Sequence, residues 1–166
     1  NQFPNVKSVA EASEESVLKH WEGLGYYARV HNFKSACEWI QNKNNGQIPI
    51  KSNDFRELKG VGDYIHAAVR SIAYNEVIPV IDGNVKRVIA RVLEIDTPPS
   101  KSLHLIKQFL NNEISQNSPG DFNQAIMDLG RTICKPRKPK CNECNIGSFC
   151  NSYNNNTVDG YPISEK

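Results

Sequence analysis

Four cysteines fall within 17 residues as Cys134-x6-Cys141-x2-Cys144-x5-Cys150, and thiols at that density are first of all candidate metal ligands. Zinc ribbons separate two Cys-x2-Cys pairs by a long spacer. Here one such pair is flanked by single cysteines, an arrangement better suited to wrapping a 4Fe-4S cubane than to holding one zinc ion. Cys37 stands apart on the apolar stripe of a predicted helix and reads as a buried thiol. An odd cysteine count with this clustering argues against a secreted disulfide framework.

Three further segments could do chemistry. Leu58-Lys59-Gly60-Val61-Gly62-Asp63-Tyr64 lies between two predicted helices. Its glycines permit a tight hairpin that exposes backbone N–H groups at a helix N-terminus, a geometry that binds phosphate, although an ordinary helix-helix turn has the same pattern. Ile81-Asp82-Gly83-Asn84-Val85 delivers a carboxylate to the mouth of a helix. Asp82 there either caps the helix or stabilises a cationic, sugar-like transition state. Trp21-Glu22-Gly23-Leu24-Gly25-Tyr26-Tyr27 places an aliphatic and two aromatic side chains on a glycine-rich turn, where they either pack on the core or wedge between base steps.

The elements that must position these residues follow from apolar spacing. Val17/Leu18/Trp21, Val30/Phe33/Cys37/Ile40, Ile65/Val69/Ile72, Val85/Val88/Ile89/Val92, Leu103/Ile106/Phe109/Leu110 and Phe122/Ala125/Ile126/Leu129 each recur at helical period. The spacing therefore predicts six amphipathic helices and an all-α fold. Ser8, Ser52, Asp63, Ser100 and Asp121 are candidate N-caps, and Asn45-Gly46, Pro98-Pro99 and Pro119-Gly120 read as turns. Val77 to Ile81 is the one β-like run, and it carries Pro79. The expected organisation is a helical domain over 1–120, with the hairpin motif at 58–75. A cysteine-ligated helix and loop follow over 121–152, then a linker or tail over 153–166.

Composition agrees with a globular chain. Net charge is only +2, yet Arg131, Lys135, Arg137, Lys138 and Lys140 form a block without an acidic residue, a credible phosphate-contacting patch beside the cysteines. Nothing at the start reads as a signal peptide and no apolar run is long enough to cross a bilayer. The expectation is a soluble, intracellular protein that uses no membrane: cytoplasmic in a bacterium, nuclear or mitochondrial in a eukaryote.

Taken together, these segments resemble the adenine DNA glycosylases of the MutY family, within the helix-hairpin-helix superfamily that also holds endonuclease III. The likeness runs from about Phe3 to Pro162, and Phe122-Asn123-Gln124-Ala125 belongs to it. The family hairpin reads Leu-Pro-Gly-Val-Gly, so Lys59 is a departure that leaves Gly60, Val61 and Gly62 intact. The resemblance implies a monomer that acts on double-stranded DNA carrying adenine mispaired with 8-oxoguanine or guanine. It implies Asp82 as the catalytic carboxylate, Asn84 as its orienting partner and Tyr64 lining the active site. Endonuclease III relatives place an imine-forming lysine at the Tyr64 position, and a phenol cannot form that bond. Leu24 and Tyr26 match residues that contact and wedge beside the base opposite the target. Gln124 matches one that hydrogen-bonds the flipped adenine, although Asp121-x-x-Gln124 also fits a capping box. Lys135, Arg137 and Lys138 would meet phosphates, and the cluster would order their loop rather than catalyse.

The resemblance also implies a chain cut short at both ends. The family's proton-donating glutamate lies upstream of residue 1, and Glu11, Glu14 and Glu15 do not match its context. A separate C-terminal recognition domain would begin after about Lys166. Weak adenine excision and weak 8-oxoguanine discrimination are the expectations. The competing readings are an endonuclease III-like glycosylase and lyase for oxidised pyrimidines, a non-catalytic iron-sulfur DNA-binding module, and a zinc-stabilised adaptor.

Overall fold

Nine α-helices and three 3-10 turns, with no strand among the described residues, make up the computed structural model, which describes residues 2–164. Asn1, Glu165 and Lys166, at the outer ends of the expected helical domain and tail, lie outside the described residues. All six helices expected from apolar spacing are present. The chain divides into two compact units, Asn1–His66 and Ala67–Lys166.

The first unit holds α1 (Val6–Glu11), α2 (Glu14–Trp21), α3 (Ala28–Lys43), α4 (Ser52–Arg56) and the start of α5 (Asp63–Tyr74). Val9, Val17, Val30 and Cys37 form its core, with Phe3, Leu18 and Trp21 packed against them. Cys37 is thus the buried thiol expected, and burial pushes its pKa up, with Glu38 adding to the rise. Helices α1 and α4 were not foreseen, because six and five residues are too short to display a period.

Several caps sit a few residues from the expected positions. Asn5 caps α1 and shares a reciprocal capping box with Ser8, which is therefore the third helical residue rather than the cap. The helix Leu103–Glu113 begins after Ser102, not Ser100. The eighth helix begins after Ser118, with Pro119 in its first turn, where the missing N–H is no loss.

The second unit is built around α6 (Gly83–Leu93), which packs against α7 (Leu103–Glu113), α8 (Pro119–Thr132) and α9 (Asn151–Asn154). Val85, Val88, Ile89 and Val92 recur on α6 at i, i+3, i+4 and i+7 and close a core with Ile95, Ile106 and Leu110. β-branched residues are mediocre helix formers, so this helix owes its stability to burial rather than propensity. The run 77–81 forms no strand and is held by a helix, not by a sheet. The buried Asn123 of α8 accepts from Val80 N at 3.0 Å through Oδ1, and its Nδ2 donates to Ile78 O and Ser71 Oγ, both at 2.9 Å.

The tail differs from the expected linker. Ser152 is fully buried and bonds the Arg91 carbonyl, while Asn155 and Thr157 donate to the Glu94 carboxylate. Ser152 thus bonds one carbonyl near the C-terminal end of α6 and Asn155 and Thr157 its Glu94 side chain, which explains how a segment with few apolar side chains is held in place.

Candidate active site and cysteine centre

In the first unit, the hairpin folds as its glycines require. Gly60 has φ +85°, and a Cβ there would lie 2.6 Å from the Asn32 Cβ, so only glycine fits. Val61 N donates to Leu58 O and Gly62 N to Gly60 O. Leu58 is buried, and His66 Nε2 pairs with Ser52 Oγ at 2.8 Å, so α4 and α5 clasp the hairpin from both sides. Gly60 and Gly62 stay exposed, with Val61 half-buried, leaving the backbone at the mouth of α5 accessible. Tyr64, one residue into that helix, is 48% exposed.

The glycine-rich turn after α2 does not bury its apolar side chains. Leu24 is 61% and Tyr26 84% exposed, so neither side chain packs on the core. Tyr26 also holds φ +48°, a left-handed conformation uncommon outside glycine.

In the second unit, Asp82 is the N-cap of α6. Its Oδ1 accepts from Val85 N at 2.7 Å and its Oδ2 from Asn84 Nδ2 at 2.9 Å. A carboxylate offers about four acceptor sites, so capping leaves lone pairs on both oxygens for other work. Asn84 Oδ1 accepts from Arg87 Nη2 at 2.9 Å. Arg87 in turn donates to Gly130 O at 2.7 Å and Cys134 O at 2.8 Å, so the carboxylate is tied by a continuous chain of hydrogen bonds to the first cysteine's backbone. Burial lowers the Arg87 pKa, as does Arg91, while Cys134 and Asp82 oppose the shift.

Cys134, Cys141, Cys144 and Cys150 line one cavity together with Arg91, Ile133, Pro139 and Tyr153. Arg91, itself buried, donates to Cys134 Sγ at 3.3 Å, Lys135 O at 2.8 Å and Tyr161 O at 2.8 Å. Burial pushes the Cys141 and Cys144 thiols up, and at Cys141 the neighbouring Cys134 and Cys150 add to the rise. Among the described residues no three His, Cys, Asp or Glu side chains converge on a point that a single ion could take. A cubane does not ask for that convergence, since each thiolate ligates its own iron. A four-sulfur donor set around one cavity, with a guanidinium beside it to offset thiolate charge, fits such a group.

Of the other expected residues, Gln124 is exposed and donates to Gly120 O on its own helix at 3.2 Å. Because α8 starts at Pro119, Asp121 is not its cap, and the capping-box alternative does not apply. Arg131 pairs with Asp128 and Lys140 with Glu143, while Lys135, Arg137 and Lys138 are exposed. Sequence reasoning missed Arg87, Arg91 and Asn123. Asn84, Arg87 and Arg91 lie at i, i+3 and i+7, a polar stripe along an otherwise apolar helix that was legible as a signal.

A family profile described as HhH-GPD superfamily base excision DNA repair protein matches residues 1–112. The chain is 37% identical over 155 residues to an adenine DNA glycosylase of Mus musculus, covering 92% of this chain and 30% of that protein. It is 36% identical over 167 residues to an adenine DNA glycosylase of Schizosaccharomyces pombe, covering 97% of this chain and 36% of the relative. The chain thus spans roughly a third of the length of these curated relatives. Its fold matches the structure of a thermostable thymine-DNA glycosylase with TM-score 0.83 and 25% identity, over 93% of this chain and 72% of that one. With its all-helical architecture, hairpin and family match in agreement, the chain belongs to the HhH-GPD superfamily of base excision DNA repair proteins.

Proposed function

We propose that this chain is part of a DNA glycosylase that hydrolyses the N-glycosidic bond of adenine mispaired with 8-oxoguanine or guanine in double-stranded DNA, acting as a monomer. The observation that carries the reading is Asp82, held by Val85 N–H and the Asn84 amide at the mouth of a buried helix with acceptor capacity to spare. A fixed carboxylate there supports the positive charge that develops on deoxyribose as the base departs. The bond is shielded inside the duplex, so the adenine must first leave the stack. Leu24 and Tyr26 supply the wedge, Gln124 reads the flipped base and Tyr64 lines its pocket. The hairpin N–H groups and Lys135, Arg137 and Lys138 hold phosphates. Tyr64 supports hydrolysis over the imine chemistry of a lyase, since it offers no amine.

Cys134, Cys141, Cys144 and Cys150 would hold a 4Fe-4S cluster. When bound, a cluster closed by four thiolates supplies order to the basic loop, not an open coordination site.

The test is adenine release under single-turnover conditions from a duplex with adenine opposite 8-oxoguanine, with an adenine-thymine control and the D82N variant. Release from the mispair that D82N abolishes supports the proposal. Binding without release would sink the hydrolytic reading for this chain and favour a non-catalytic DNA-binding module, and a borohydride-trapped adduct would favour the lyase.

A further inference from the structure

The turn that carries Leu24 and Tyr26 is held by side-chain bonds from Trp21 and Arg29, and no role yet accounts for Arg29. Gly23, Gly25 and Tyr26 all have positive φ, at +85°, +64° and +48°. Nothing lies within 4 Å of a Cβ built on Gly23 or Gly25, so neighbouring atoms do not mould the turn around them. The N-cap of α3, Tyr27, makes no side-chain cap bond. Among the described residues, Arg29 makes two of the three side-chain bonds to the carbonyls of this turn. Its Nη2 donates to Leu24 O at 3.1 Å and to Gly25 O at 3.2 Å, and its guanidinium lies 5.3 Å from the Trp21 ring and 5.5 Å from the Tyr26 ring. Trp21 Nε1 bonds the same Gly25 carbonyl at 3.2 Å.

A guanidinium within cation–π reach of two rings, with one nitrogen donating to two consecutive carbonyls, restrains both the backbone and the direction of the Tyr26 ring. An exposed aromatic that must enter a base stack loses less freedom on insertion when it is held in this way beforehand. We propose that Arg29 is the positioning residue of the wedge: it pre-sets the Leu24–Tyr26 turn for insertion into duplex DNA and so favours the extruded target base, without touching the reacting atoms. This rests on the assignment of Leu24 and Tyr26 as the wedge.

The test uses the full chain and a duplex with 2-aminopurine opposite 8-oxoguanine, whose fluorescence rises when the purine analogue leaves the stack. R29M is expected to lower the extruded fraction relative to the stacked complex about tenfold, approaching Y26A. R29K keeps the charge and a nitrogen donor but lacks the planar guanidinium that reaches the Trp21 and Tyr26 rings while its nitrogen bonds the carbonyls, so it should show the same loss. Its affinity for undamaged duplex should stay within about twofold of wild type. Arg29 is exposed, and its variants should melt within about 3 °C of wild type. A full fluorescence rise in R29K, with the rise lost in Y26A, overturns the positioning role. A rise that survives in Y26A, or is missing in wild type despite binding, overturns the wedge assignment and this proposal with it.

Discussion

Asn84 and Gly130 meet so closely that a Cβ on Gly130 would stand 2.7 Å from the Asn84 Cβ and 3.1 Å from its carbonyl oxygen. The residue that orients Asp82 therefore sits in a notch cut by a glycine on α8. Alanine at 130 improves helix propensity by about 1 kcal/mol, yet it overfills the notch. Gly130→Ala is expected to lose about 1–3 kcal/mol in urea denaturation. A gain in stability would show that the notch is not needed.

Asp82 has a cap role and a proposed catalytic role, and two variants separate them. Asparagine keeps the cap but turns its amide nitrogen toward the Asn84 Nδ2 donor, so Asp82→Asn should lose about 1 kcal/mol, whereas Asp82→Ala, which loses the cap as well, should lose about 2 kcal/mol. Both should cut single-turnover excision at least about a hundredfold, since neither supports a cationic sugar. Excision that tracked stability instead would reduce Asp82 to a cap.

Asn123 satisfies Val80 N, Ile78 O and Ser71 Oγ from within a buried site. Its replacement by alanine strands Val80 N and Ile78 O, leaving Ser71 Oγ its bond to the Ala68 carbonyl, and should cost about 2–4 kcal/mol. Hydrogen exchange at the Val80 amide is the direct readout, and unchanged protection there would contradict the pinning of the 77–81 run.

Removal of the proposed cluster should act locally. The segment carrying Lys135, Arg137, Lys138 and Lys140 has few apolar side chains of its own, so stripping iron with a chelator and oxidant should open it to trypsin. Limited digestion resolved by mass spectrometry would locate the cuts, and equal resistance with and without iron would argue that Arg91 and α9 hold the loop by themselves.

Cys37 should stay inert in the native protein. It is 3% exposed and burial pushes its pKa up, both of which suppress thiolate attack. Iodoacetamide should label it only after urea is added. Labelling at the rate of an unfolded thiol would mean that the α1 to α3 core opens readily.

Much of this was legible from residue order alone, and the reason is locality. Helical period, the Gly60 hairpin, the cysteine spacing and the Asp82 cap are each written within a window of a few turns. Helices α1 and α4 escaped because they are shorter than the period that would reveal them. The tail reads as a linker because its asparagines are polar, while Asn155 finds its partner in the distant carboxylate of Glu94.

By itself, then, the sequence determined an all-helical chain with a glycine hairpin, a carboxylate at a helix mouth and a four-thiol loop. Only the tertiary structure decided which polar side chains would be buried and what they would join. Arg87 reaches a carbonyl 47 positions away and Asn123 an amide 43 positions away. A buried polar group must find its partner wherever packing brings one, and no local spacing encodes that meeting. Exposure was decided the same way: Leu24 and Tyr26 have core-like chemistry, yet the turn that carries them keeps them exposed.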